Sequence, residues 1–200
     1  MSQKRVLIVH CHPAQDSLLS EMARRVEARL LERGHEVDFF DLYTLNFDPA
    51  MREDEWRAHR RTERPEDGLD LHVAALKAAQ ALVVIYPTWW FGMPAMLKGW
   101  FDRVWQAKVA FDVKNGQFQL HTLSNITHFA AITSHGSPRF LIDLIIGNPG
   151  RRILAPGLEL QLAPRSKFMW RAFYGVDSLP HAKVQKDMDR FERDLSNFLR

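Results

Sequence analysis

What this chain has little of narrows its class before any motif is read. It carries one cysteine, Cys11, so no disulfide can form within the chain, which fits a reducing compartment. No apolar stretch approaches the roughly 20 residues that a membrane-spanning helix needs. The apolar run at 6–9, after Lys4 and Arg5, is too short for the core of a secretory signal. The expectation is a cytoplasmic protein with no integral membrane segment. A strong excess of one charge is also missing: 27 basic against 24 acidic side chains leave a formal charge of +3. The cations of 51–67 and 183–193 are interleaved with acids, as on a solvated surface rather than a nucleic-acid face. Neither a Walker lysine loop nor a Gly-x-Gly-x-x-Gly turn occurs, so the triphosphate and Rossmann dinucleotide readings lose their usual support. Internal repeats and low-complexity segments are absent as well.

What is present is a chain of 200 residues, 46% hydrophobic, enough for one well-buried core, and a single domain over 1–200 is expected. Short segments at 6–9, 81–85 and 126–132, the alternating stretch 35–40 with Val37 and Phe39 on one face, and a further candidate in 167–176 read as strands. Helical stripes separate them. Leu18 or Leu19, with Met22, Ala23, Val26 and Leu30, form one, ending at Gly34, and residues 69–79 form a second. Leu97, Trp100, Phe101, Val104 and Trp105 make a third, and Val184, Met188, Phe191, Leu195 and Phe198 a terminal one. Strands alternating with helices predict an α/β parallel sheet. Residues 51–68 are charged without a period and read as a surface excursion with room for a short helix. Residues 109–119 read as a loop or hairpin, and 140–146 as a helix ended by Gly147-Asn148-Pro149-Gly150.

The most informative stretch runs from Tyr86 to Trp105. It begins where the fully apolar strand 81–85 ends, and it places Trp89, Trp90 and Phe91 in a loop that would ordinarily be polar. In open parallel sheets, ligands sit just outside the carboxyl ends of the strands, and an aromatic loop there suits a flat ring. Pro87, Trp90-Phe91, Gly92-Met93-Pro94 and Leu97-Lys98-Gly99-Trp100-Phe101-Asp102-Arg103-Val104 closely resemble the corresponding pattern of the NAD(P)H:quinone oxidoreductases of the DT-diaphorase type. That family also includes ancillary reductases of potassium-efflux systems. The run Asp41-Leu42-Tyr43 with Asn46-Phe47 and Pro49 resembles it too.

The resemblance implies a flavodoxin-like, doubly wound five-stranded parallel sheet of order 2-1-3-4-5, with the loops after strands 1, 3 and 4 around one crevice. It implies FAD or FMN as cofactor and NAD(P)H as co-substrate. Hydride would pass from NAD(P)H to the flavin and then, in a ping-pong cycle, to a quinone or similar acceptor. The first loop would hold phosphate through His12, Ser17 and the backbone of Leu18 and Leu19, at a helix N-terminus whose free N–H groups favour anions. Leu19 stands where the family usually has asparagine. The second loop, Pro87, Thr88, Trp89, Trp90 and Phe91, would wall the ring. The third, Thr133, Ser134, His135 and Gly136, would meet the flavin's pyrimidine edge, with His135 departing from the family's glycine-rich pattern. Trp90, Phe91, Phe111 and Phe140 would line the acceptor pocket, and Phe111 replaces the family's tyrosine. The family's tyrosine and histidine proton relay falls on Leu141 and Gly147 in a gapless reading, so His135 is the nearest titratable candidate for catalysis. The resemblance also implies a homodimer, with Phe111, Phe140 and Trp170 as candidate interface residues. The pair His10 and His12 around Cys11 is not read as a metal site, because neighbouring residues at a strand end point in different directions. An azo- or nitroreductase on the same fold, a regulatory ancillary subunit of a potassium-efflux transporter and a non-enzymatic electron-carrying flavodoxin remain alternatives. The balanced charge counts against the last.

Overall fold

In the computed structural model, residues 3–65 and 68–200 are described. The chain runs β1 (Arg5–His10), α1 (Leu18–Glu32), β2 (Glu36–Asp41), α2 (Glu53–Arg60), α3 (Asp70–Ala78), β3 (Ala81–Pro87) and α4 (Ala95–Val104). It continues with a small hairpin, β4 (Asp112–Lys114) and β5 (Gln117–Gln119), then β6 (His128–His135), α5 (Pro149–Arg152), β7 (Lys167–Tyr174) and α6 (His181–Phe198). Five strands pair in the order β2-β1-β3-β6-β7, all parallel. With the hairpin set aside, this is the expected 2-1-3-4-5.

Alternation along each strand divides the core into two layers. Leu7, Val9, Leu82, Val84 and Tyr86 face α3 and α4 with Phe129 and Ala131, while Val6, Ile8, Val83 and Ile85 face α1 and α6 with Ala130 and Ile132. All seven residues of β3 are buried, as a strand covered on both faces requires. Ser17 caps α1 by accepting from Ser20 N–H. Gly34, at φ +81°, closes it: Gly34 N–H and His35 N–H donate to Leu31 O and Leu30 O, so the expected glycine cap is present.

Three expectations need adjustment. The charged excursion contains α2, and one of its acids is a core residue: Glu55 is buried and receives Arg103 Nε at 3.1 Å. Arg103 Nη1 also donates to Asp48 O at 2.5 Å, so the arginine of the aromatic motif ties that excursion to α4. Residues 66 and 67 lie outside the described residues. Secondly, β6 extends through Thr133, Ser134 and His135, which read as loop in the sequence. Thr133 pairs with Tyr86 on one side and Ala172 on the other, and His135 pairs with Tyr174. Lastly, the helix expected over 140–146 is present as a π-helical turn over Leu141–Ile145. Gly99 has a specific packing reason: a Cβ there would overlap the backbone of Pro49.

Candidate functional site

Register brings the carboxyl ends of β1, β3 and β6 together, with His10 beside Ile85 and Pro87 beside Ser134. Thr88 locks the join: its N–H donates to Ser134 O at 2.9 Å and its hydroxyl meets the Thr133 hydroxyl at 2.8 Å. Thr133 is fully buried, and its side chain holds the loop to the end of β6.

Beyond Thr88 the chain reverses at once. Trp89 and Gly92 exchange backbone hydrogen bonds of 3.0 Å in both directions, and the two residues between them, Trp90 and Phe91, have φ of +49° and +65°. Two left-handed residues in sequence are what a two-residue reversal demands, and Asn-Gly is its usual occupant. An aromatic pair in that conformation costs on the order of 1 kcal/mol or more per residue. The strain presents Trp90 at 95% exposure beside a recess of about 140 Å³ lined by Thr88, Trp90, Phe91, His135, Gly136, Ser137 and Ile142.

His135 is the buried polar group of that recess, at 3% exposure. Its ring stacks on Tyr174 at 5.0 Å between centroids, and neither ring nitrogen has a hydrogen-bond partner among the described residues. Burial pushes its pKa down to about 4, against a smaller upward pull from Asp143, so the ring is neutral near pH 7. Tyr174 donates its hydroxyl to Asp143 at 3.3 Å. Burial favours the neutral acid of Asp143, but hydrogen bonds from Arg139, Asn148 and Tyr174 outweigh it and hold the carboxyl below its ordinary range. The sequence reading missed Tyr174 and Asp143. The available signal was Tyr174's position at the end of the last strand, where ligand-facing residues collect.

At the other end of the crevice, His12 Nδ1 accepts from Ala14 N–H at 3.0 Å. The same nitrogen lies 3.1 Å from Ala14 O, and Nε2 has no hydrogen-bond partner among the described residues. Among the described residues no acceptor meets the amides of Leu18 and Leu19, in the first turn of α1. Cys11 is fully buried and its thiol is pushed up to about 12 by burial, so it stays protonated.

Phe111 and Phe140 stand apart from this cluster. Phe111 stacks on Phe118 and lines a separate cavity of about 450 Å³ with Phe101, Trp105 and Ile153. Phe140 is exposed, as are its neighbours Leu144 and Ile145. Trp170 lies partly buried against the core, 6.4 Å from the His135 ring.

A family model described as flavodoxin-like fold matches residues 4–152. The chain belongs to that family. It is 37% identical over 114 residues to an uncharacterised NAD(P)H oxidoreductase, YcaK, of Escherichia coli, an alignment covering 56% of this chain and 57% of that protein. The chain thus spans little more than half the length of such curated relatives. Among solved structures, Smu.1420 of Streptococcus mutans superposes with a TM-score of 0.84 at 26% identity, covering 96% of this chain and 99% of that one. The NAD(P)H:quinone oxidoreductase of Methanothermobacter marburgensis does so with a TM-score of 0.78 at 26% identity, covering 96% and 94%. Among the described residues no helix is long and apolar enough to cross a membrane.

Proposed function

We propose that this protein is a flavin-dependent NAD(P)H:quinone oxidoreductase, with FMN or FAD bound along the crevice between the N-terminus of α1 and the end of β6. The observation that carries the reading is His135: a buried imidazole with both nitrogens unpartnered, beside a strained aromatic turn at the end of a central strand. Buried polar groups in native proteins are nearly always satisfied, and a ligand with polar edges would satisfy this one. The rest of the donor set fits the same ligand. His12 Nε2, in the tautomer that carries its proton there, and the amides of Leu18 and Leu19 suit a phosphate. Phe91 and Trp90 suit a planar ring, of which the recess takes one edge, and the backbone of Gly136 suits its pyrimidine end, while Ser134 O is already taken by Thr88 N–H.

When bound, the flavin supplies the two-electron chemistry, accepting hydride from NAD(P)H and delivering it to the acceptor. The protein's residues bind and orient. His135, neutral at pH 7, carries one ring proton with no partner among the described residues and would donate it in a hydrogen bond where negative charge develops on a ligand edge that reaches it. The exposed indole of Trp90 forms a wall on which a nicotinamide and a quinone would stack in turn. The exposed apolar ridge at Phe140, Leu144 and Ile145 suits a second copy of the chain, and a homodimer would also enclose the open side of the crevice. Phe111 would then reach an acceptor from the neighbouring protomer. The chain would work as one flavin-binding unit in the cytoplasm.

Steady-state kinetics of the flavin-loaded protein test the reaction order. Double-reciprocal plots of NAD(P)H against a water-soluble quinone should be parallel, as for two substrates using one site alternately. Intersecting lines would reject the alternating scheme.

A further inference from the structure

His10 is 1% exposed and sits at the last position of β1, facing α1. Its Nδ1 lies 3.2 Å from Ile85 O and its Nε2 lies 3.0 Å from Ser20 Oγ. Ser20 Oγ is in turn 2.8 Å from Ala14 O and 2.9 Å from Ser17 Oγ. Each of these four contacts needs one proton. The two hydroxyls supply two, a neutral imidazole supplies one more, and one short contact is left without a hydrogen. An imidazolium supplies the fourth and satisfies the whole cluster.

Burial opposes that charge and lowers the His10 pKa, while Asp41 on β2 raises it, and His12 in the loop and Arg24 on α1 lower it further. Asp41 is already engaged, accepting from Gln15 Nε2 at 2.9 Å and from the amides of Tyr43 and Thr44. Arg24 is paired with Glu21. The missing stabiliser of a charged His10 is therefore an anion on the far side of Ser20 and Ser17, where the free donors of α1 begin. With an anion there, Ser17 turns its hydroxyl to the ligand and Ser20 turns its hydroxyl from Ala14 O to Ser17, so that the dipoles from His10 outward all aim at the negative charge, at the cost of the Ala14 contact.

We propose that His10 is the proton-linked counter-charge for the anionic group bound at the N-terminus of α1, so that binding a flavin nucleotide draws one proton from solvent onto the buried imidazole. The inference rests on the reading that this end of the crevice takes the cofactor's phosphate. His10 touches no ligand itself; it positions the two serines and their protons.

The test is calorimetric titration of the flavin-free protein with FAD, FMN and riboflavin above pH 7, in two buffers of different ionisation enthalpy. Net uptake approaching one proton per nucleotide is expected, with none for riboflavin. Nucleotide affinity should correspondingly weaken by up to about tenfold per pH unit where free His10 is neutral and bound His10 is charged. Nitrogen chemical shifts of the His10 ring should move from neutral to imidazolium on nucleotide binding. Ser20→Ala keeps His10 but cuts the chain, and should reduce proton uptake while leaving riboflavin affinity unchanged. His10→Asn should abolish the uptake. Nucleotide binding without uptake, or a His10 ring that stays neutral, overturns the proposal while leaving the flavin site standing. Failure of both nucleotides to bind overturns the flavin site and this proposal together.

Discussion

His135 is a residue whose surroundings are complete for packing and incomplete for hydrogen bonding. Tyr174 covers one face of its ring, but nothing described meets its nitrogens. If a flavin edge is the missing partner, His135→Gln, which keeps a donor at reduced reach, should slow quinone turnover by about 10- to 100-fold, in the range of lost electrostatic or acid–base assistance. Flavin retention should fall much less, because phosphate and ring contacts remain. Turnover equal to that of the parent protein would remove His135 from the chemistry. Its candidacy was legible because it interrupts a glycine-rich pattern. Its stacking on Tyr174, 39 positions away, was not, since no local period links the end of β6 to the end of β7.

Among the elements, the strands were the most readable. The run 81–85 is apolar and β-branched because β3 is covered on both faces, and burial of that kind leaves no other composition. The end of β6 was misplaced because Thr133 and Ser134 have loop-like chemistry and are held in the ladder by Thr88, a tertiary contact. Glu55 was unreadable for a similar reason: its paired partner Arg103 lies 48 residues on, and α2 otherwise carries the mixed charge of a solvated face. The turn at Trp90 and Phe91 is the sharpest case. Its location and aromatic character were plain, but its left-handed backbone runs against the preference of both residues. Trp90→Gly should therefore stabilise the apoprotein by about 1 kcal/mol in urea unfolding, by relieving a strained φ. The same change should weaken flavin binding or acceptor turnover. A loss of stability would show that the turn is not strained, and unchanged binding and kinetics would show that Trp90 is not part of the site.

For the whole molecule, buried histidines set the acid limit. Burial lowers the pKa of His10, His35, His128 and His135. A histidine of lowered pKa is neutral in both states above its unfolded value of about 6.5 and binds a proton more readily when unfolded below it. Stability should thus be flat above pH 7 and fall as pH drops from about 6.5, before the paired carboxylates Asp41 and Asp143 titrate. For His135, whose folded value is about 4, the loss amounts to up to about 3 kcal/mol by pH 4. Urea midpoints of the apoprotein at pH 7.5, 6 and 5 measure this, and His135→Gln should shallow the slope. A midpoint constant down to pH 5 would mean that these rings are not buried neutral.

The central claim is that one bound flavin exchanges hydride with two partners in turn. It is tested most directly by visible absorption of the flavin-loaded protein without oxygen, first on adding NADH or NADPH and then on adding a quinone. The expected result is a flavin spectrum that bleaches with the nucleotide and returns with the quinone, both steps fast enough to support turnover. A protein that takes up neither FMN nor FAD, or a flavin that does not bleach with either nucleotide, would contradict it.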